Sequence, residues 1–109
     1  MRLALAQAYK NLGNTRENPS VGCVITKSNS IISLGCTNIN GRPHAEQIAI
    51  SSCKFNLKGS EIYVTLEPCS HYGKTSPCTK AIIKKGLKKV FFSLNDPDIR
   101  SYNKSEKLF

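Results

Sequence analysis

One histidine and two cysteines constrain this chain more than any other feature: His44, Cys69 and Cys78. Each falls where a regular element is predicted to begin or end. His44 follows Pro43 ahead of an apolar segment. Cys69 follows a β-branched run through Glu67-Pro68, and Cys78 follows Pro77 ahead of a second apolar segment. An imidazole and two thiolates are ligand types of zinc, and three protein ligands leave a fourth position for water, as in catalytic sites. Glu46, two residues beyond His44, is the acid/base such a water needs. A fold that uses these residues together must bring two helix starts and one strand end to one point. The competing reading is a structural zinc site, which has four protein ligands, and His71 is the spare ligand nearby.

The chain has 109 residues, enough for one domain with a modest core. It carries no run near the roughly 18 apolar residues of a membrane span. Leu3 to Ala6 is interrupted by Gln7 and Lys10 too early for a signal peptide. A cytoplasmic setting and no membrane partner are therefore predicted. Five cysteines are an odd count, which argues against a closed disulfide framework. In a reducing compartment, clustered Cys and His read as metal or catalysis. Cys23, Cys36 and Cys53 lie in apolar elements and read as core.

The formal net charge is +9, with a lysine cluster at Lys80, Lys84, Lys85, Lys88 and Lys89. The plain reading is a solvated helix face. The functional one is attraction of an anionic or phosphorylated molecule. Aromatic residues are not interleaved with the lysines, which counts against a nucleic-acid platform.

Apolar spacing predicts a helix over 2–12, ending near Gly13. Val21 to Thr26 and Ile31 to Cys36 read as strands of a hairpin around a turn at 27–30. Pro43 suits the first turn of a helix carrying His44 to about Cys53. Glu61 to Leu66 reads as a strand. Pro77 begins another helix, which stops at Gly86. Val90 to Leu94 is the last clear strand, and Asn95 to Asp98 a turn. The order α-β-β-α-β-α-β predicts an α/β fold with a mixed sheet. Its β-α-β-α-β portion predicts parallel neighbours joined by crossover helices, with ligands gathered at the strands' C-terminal ends.

Glu46 points about 200° around its helix from His44. Both can face one metal if it sits off the helix N-terminus. Cys78 lies just inside a helix, where the positive dipole end favours the thiolate.

Eight residues separate Cys69 from Cys78, against two in the usual zinc deaminase pattern. Three strings are long and specific: Asn18-Pro19-Ser20-Val21-Gly22-Cys23-Val24-Ile25, Gly41-Arg42-Pro43-His44-Ala45-Glu46, and Tyr63 through Cys78. They resemble the deaminase domain of the bifunctional riboflavin-biosynthesis deaminase/reductase (RibD) family, from the first helix to about Asp98. The resemblance implies the three-layer α/β/α sandwich of the cytidine-deaminase-like fold. It implies zinc on His44, Cys69 and Cys78, and proton transfer by Glu46. It also implies hydrolytic removal of the 2-amino group of 2,5-diamino-6-ribosylamino-4(3H)-pyrimidinone 5′-phosphate, with Asn18 and His71 on the substrate. In the inserted loop, Lys74 offers a point charge to a phosphate and Thr75 a hydroxyl. Asp96 is the candidate for the ribosyl or amino part. Each has a plainer reading: Asn18 and Asp96 as turn residues, His71 and Lys74 as solvent-facing loop positions.

The chain departs from the family pattern after Asp98. The final helix and strand of the deaminase, and any reductase domain, are expected to be missing. That would expose Val90, Phe91, Phe92 and Leu94 at a sheet edge and predicts self-association. Three readings stay open: a stand-alone oligomeric deaminase, a fragment of a split gene, or a zinc-binding module without turnover. Intact ligand and acid/base positions favour retained chemistry. A nucleoside or base deaminase of the same fold is the alternative activity, and the eight-residue insertion with Lys74 argues against it.

Overall fold

The computed structural model describes residues 1–16, 18–70 and 77–94. Its elements are α1 (Arg2–Tyr9), β1 (Gly22–Lys27), β2 (Ser30–Cys36), a 3₁₀ turn (Ile39–Gly41), α2 (Ala45–Ser52), β3 (Glu61–Leu66), α3 (Cys78–Lys84) and β4 (Lys89–Leu94). The predicted order holds. The turn at Asn95 to Asp98 lies outside the described residues.

The four strands form one mixed sheet in the order β2-β1-β3-β4. β1 and β2 are the predicted hairpin, and the turn between them holds Ser28 and Asn29 at φ 52° and 65°. Two positive φ values make the type of turn whose twist suits a two-residue hairpin. β3 pairs with β4 in parallel, as the sequence predicts. It does not pair with β2. The crossover through α2 passes over β1, which lies between them and runs antiparallel to both. The prediction of β2 beside β3 is thus corrected: the hairpin folds its first strand, not its second, against the rest of the sheet.

Alternation along the strands sorts residues between two helical layers. Gly22 pairs with Cys36, and Cys23 with Gly35. A Cβ on Gly22 would sit 1.7 Å from the Ala4 carbonyl oxygen of α1. A Cβ on Gly35 would sit 2.3 Å from the Ala45 carbonyl oxygen of α2. α1 and α2 therefore press on opposite faces, each through a glycine that lets backbone meet backbone. Cys23, Ile25, Ile62 and Val64 from the strands, Ala49 and Ile50 from α2, and Ile82 from α3 form the core on the α2 side. Of the cysteines read as core, Cys23 is fully buried, while Cys36 and Cys53 are half-buried.

α1 ends two or three residues earlier than its apolar pattern suggests. Its chain tightens into turns, with Leu12 N–H donating to the Tyr9 carbonyl and Gly13 at φ 89°. Gly86, at φ 76°, follows α3 in the predicted stopping position. Among the described residues β4 is an edge strand, as β2 is at the other side of the sheet, with Phe91 and Leu94 exposed and Val90 and Phe92 packed on the core. Phe91 stacks on Tyr63 with ring centroids 4.8 Å apart.

Because Gly35 is in backbone contact with the helix that begins after His44, Gly35→Ala is expected to push α2 outward. Overpacking of this kind costs about 1–3 kcal/mol. Urea unfolding should show a lower midpoint, and an unchanged midpoint would contradict the close approach.

Candidate metal centre

His44 is the N-cap of α2, in extended conformation (φ −70°, ψ 160°). It is not in the first turn, and Pro43, expected there, precedes it. This answers the angular problem the sequence posed. His44 stands outside the helical wheel, so its ring and the Glu46 carboxyl converge off the helix end. Glu46 occupies the first turn of α2 and is buried.

Cys69 comes off the end of β3 after the buried pair Glu67-Pro68. Cys78 is the first residue of α3, with Pro77 as N-cap. The first N–H groups of a helix have no partner within it. Here Cys78 N–H donates to Cys69 Sγ at 3.1 Å, and Thr79 N–H donates to the Cys69 carbonyl at 3.1 Å. The start of α3 thus grips both the side chain and the backbone of Cys69. Thr79 was not singled out in the sequence. Its place second in a helix that begins at a ligand is the signal that could have found it.

His44 Nδ1 lies 3.8 Å from Cys69 Sγ and 3.6 Å from Cys78 Sγ. All three ligand atoms fall within 4.8 Å of one another. Zn–S bonds of about 2.3 Å and Zn–N bonds of about 2.0–2.1 Å in a tetrahedron put ligand atoms roughly 3.5–3.8 Å apart. The donor set and its spacing therefore fit Zn²⁺. The structure brings together the three residues the sequence singled out as candidate ligands.

The cluster's protons are interdependent. The Cys78 thiol donates to Cys69, and this, with His44 and the Cys78 N–H, brings the Cys69 thiol down to about 4. The same shared proton, together with burial and the nearby Glu46 and Cys69 charges, pushes Cys78 far up. His44 is raised, first by its hydrogen bond with Cys69, while the Arg42 charge acts against this. Burial is the main cause that pushes Glu46 up to about 7, and the negative Cys69 adds to it. Cys23, fully buried in β1, is also raised by burial and by Glu46, so it lies near enough to feel that carboxylate.

Asn18 is held by its surroundings. Its Nδ2 donates to the Gly41 carbonyl at 3.0 Å, and its backbone oxygen accepts from Thr15 Oγ1. This ties the loop before β1 to the turn before His44. His71, Lys74, Thr75 and Asp96 lie outside the described residues. Among the described residues, no helix is long and apolar enough to cross a membrane.

Comparison with known proteins agrees with this geometry. The family model described as "Cytidine and deoxycytidylate deaminase zinc-binding region" matches residues 1–94. Riboflavin biosynthesis protein RibD of Aquifex aeolicus is 47% identical over 98 residues, 90% of this chain. The chain spans 28% of that relative's length. A diaminohydroxyphosphoribosylaminopyrimidine deaminase/5-amino-6-(5-phosphoribosylamino)uracil reductase from Thermotoga maritima superposes with a TM-score of 0.91 at 43% identity. The match covers 99% of this chain and 32% of that one. The dCMP deaminase of cyanophage S-TIM5 superposes with a TM-score of 0.70 at 26% identity, covering 98% of this chain and 86% of that one.

A pH prediction follows from Glu46. In metal-free protein the folded state keeps a proton up to about pH 7 that the unfolded chain releases near 4.5. A raised carboxyl favours folding fully below about pH 4.5 and loses that contribution as pH rises to about 7. The size is on the order of 3 kcal/mol at roughly 1.4 kcal/mol per unit. Cys69 titrates in the opposite sense over an overlapping range, so the test is the difference between wild type and Glu46→Gln. That difference, from urea unfolding of chelator-treated proteins, should shift in favour of the Gln variant between pH 4.5 and 7.5. A difference constant with pH would refute the assignment.

Proposed function

The chain belongs to the cytidine and deoxycytidylate deaminase zinc-binding family, and from that membership we propose that it hydrolytically deaminates 2,5-diamino-6-ribosylamino-4(3H)-pyrimidinone 5′-phosphate. The observation that carries this reading is one cluster holding three zinc-type ligands with the buried carboxyl of Glu46 beside them. His44, Cys69 and Cys78 would hold the ion. Zn²⁺ bound there would supply a Lewis acid that makes water a nucleophile near neutral pH, directed at an amino-bearing ring carbon.

The protein's own groups do the rest. Glu46 is the acid/base: burial holds its proton affinity near neutrality, the range in which a carboxyl can both take up and return a proton. It takes the proton lost as water attacks and passes it to the ring nitrogen, then takes the second proton from the added hydroxyl and passes it to the departing amino group, which leaves as ammonia. The α3 N–H groups fix Cys69 so that the ligands do not shift as charge moves. Asn18 spends its Nδ2 on Gly41, which leaves Oδ1 to accept from a substrate amino group. His71, Lys74, Thr75 and Asp96 complete the proposed substrate contacts, with Lys74 and Thr75 toward the phosphate. The choice of the riboflavin precursor over cytidylate rests on the 43–47% identity to proteins so named, against 26% to the dCMP deaminase. The exposed side of β4 is the proposed surface for pairing of two copies.

Glu46→Gln should keep one zinc per chain and lose ammonia release by about 10²-fold or more, the scale of general acid–base catalysis. Metal analysis and an ammonia assay on the same preparation decide it. Normal turnover by the variant would sink the mechanism. Ammonia from cytidylate but not from the diaminopyrimidinone would move the substrate to the sister activity.

A further inference from the structure

The lysines that give this chain much of its charge sit at the pole opposite the metal centre. Lys89 pairs with Glu61 at the start of β3, whereas Cys69 lies beyond its other end. Lys88 N–H donates to the Ser60 carbonyl, Gly59 N–H donates to the Gly86 carbonyl, and Lys58 lies beside Gly86. These ties gather Lys58, Lys84, Lys85, Lys88 and Lys89 at one end of the sheet, all five exposed. A six-residue strand spans about 20 Å, more than twice the screening length of about 8 Å at physiological salt. The group therefore acts apart from the metal centre.

Its charge is unspent. Of the described carboxylates, Glu46 and Glu67 are buried toward the metal end, and Glu61 alone lies at this one. Among the described residues, no carboxylate or carbonyl oxygen holds any of the five ammonium groups. Lys27 differs, because its Nζ donates to the Asn56 carbonyl at 2.9 Å and so ties the segment before β3 to the end of β1. Cys53 Sγ anchors the same segment on the Ile32 carbonyl of β2 at 3.8 Å. Between these two anchors stands Phe55, 65% exposed. Asn56 Oδ1 accepts from Lys58 N–H at 2.9 Å, so the turn carrying Phe55 runs directly into the lysine group. In sequence no aromatic residue is interleaved with the lysines of 80–89, and the fold brings one to their pole.

We propose that this pole binds single-stranded nucleic acid, the lysines following its phosphates and Phe55 stacking on one of its bases. Lysine ammonium groups are point charges without the fixed fork of a guanidinium. Five of them spread over an exposed surface suit an extended polyanion better than a single small anion. A charged surface beside an exposed ring is the combination by which proteins hold unpaired strands, since every base has a face to stack. The plainer reading is a solvated charged face with no partner, and the test separates the two.

The measurement is fluorescence anisotropy of a labelled oligouridine with the zinc-loaded 109-residue chain, over a series of salt concentrations. Uracil has no exocyclic amino group, so the probe is not a deamination substrate. Wild type should bind at physiological salt, with an affinity that falls steeply as salt rises. A Lys84→Gln, Lys85→Gln, Lys88→Gln triple variant should bind roughly tenfold or more weakly, and its salt slope should be shallower by about 2, at about 0.7 per single-strand phosphate contact. Phe55→Ala should lose roughly fivefold to a hundredfold, the range for one stacked base, with its slope unchanged. Lys10→Gln, on the turn after α1, should bind as wild type does. Zinc content and the urea midpoint of each variant show that it is folded. No binding by wild type, full affinity in the triple variant or in Phe55→Ala, or an effect of Lys10→Gln as large per charge as that of the triple variant would overturn the proposal. Polyglutamate bound as tightly as the oligouridine, by wild type and Phe55→Ala alike, would also overturn it and assign the pole to an acidic protein.

Discussion

The site depends on the grip of α3 on Cys69. A strand end is a loose place to hold a ligand, because the sheet's hydrogen bonds have run out. Here the first N–H groups of α3, which have no partner in their own helix, close on the Cys69 sulfur and carbonyl. The same helix start delivers Cys78, so one contact sets both thiols. It also brings the positive end of the helix to a sulfur that must carry negative charge. The parallel pairing of β3 and β4 follows from this arrangement. A chain that leaves β3, turns into α3 and returns beside β3 has to run the same way.

Charge explains why the cluster fits a divalent cation. Two thiols, an imidazole and a carboxyl lie together, largely out of water. Among themselves they support few negative charges. Cys69 becomes a thiolate readily because Cys78 keeps its proton and shares it, and Glu46 holds its own proton to about pH 7. A cation held by these residues would reverse the balance at Cys78, since a coordinating thiol is deprotonated outright. Two thiolates would then offset its charge, and the Glu46 carboxyl would be left to exchange protons. The buried carboxyl keeps a raised proton affinity and stands outside the group of ligand atoms that His44, Cys69 and Cys78 form.

The site was more legible in the sequence than the sheet was. His44, Cys69 and Cys78 announce themselves through chemistry and through the prolines before each, and those signals are local. β3 was placed to the residue because alternating β-branched positions end at Glu67-Pro68. The β2-β1-β3-β4 order was not legible, because it depends on which hairpin strand faces β3. That is settled by packing: Cys23 and Ile25 share one face with Ile62 and Val64 in the core. The close approaches at Gly22 and Gly35 were hidden for the same reason, since a glycine in a strand does not say which backbone it admits. His44 as an N-cap rather than a first-turn residue escaped a reading that took Pro43 as the helix start.

The two misreadings share a cause and bear on the chemistry. In each, a residue was assigned to the element nearest in sequence when its position is set by one distant in sequence. His44 stays outside α2, within reach of sulfurs 25 and 34 residues further on. β1 separates β2 from β3, and this puts Cys23 in the middle of the sheet beneath α2, close to Glu46. An apolar central strand under that carboxyl keeps water from it, and dry surroundings are what hold its proton near neutrality. The insertion of β1 is therefore part of what raises the proton affinity of Glu46. A sheet with β2 beside β3 would set the polar Ser33 and the thin Gly35 next to β3, in place of Cys23 and Ile25. It would give Glu46 a wetter floor and an ordinary carboxylate.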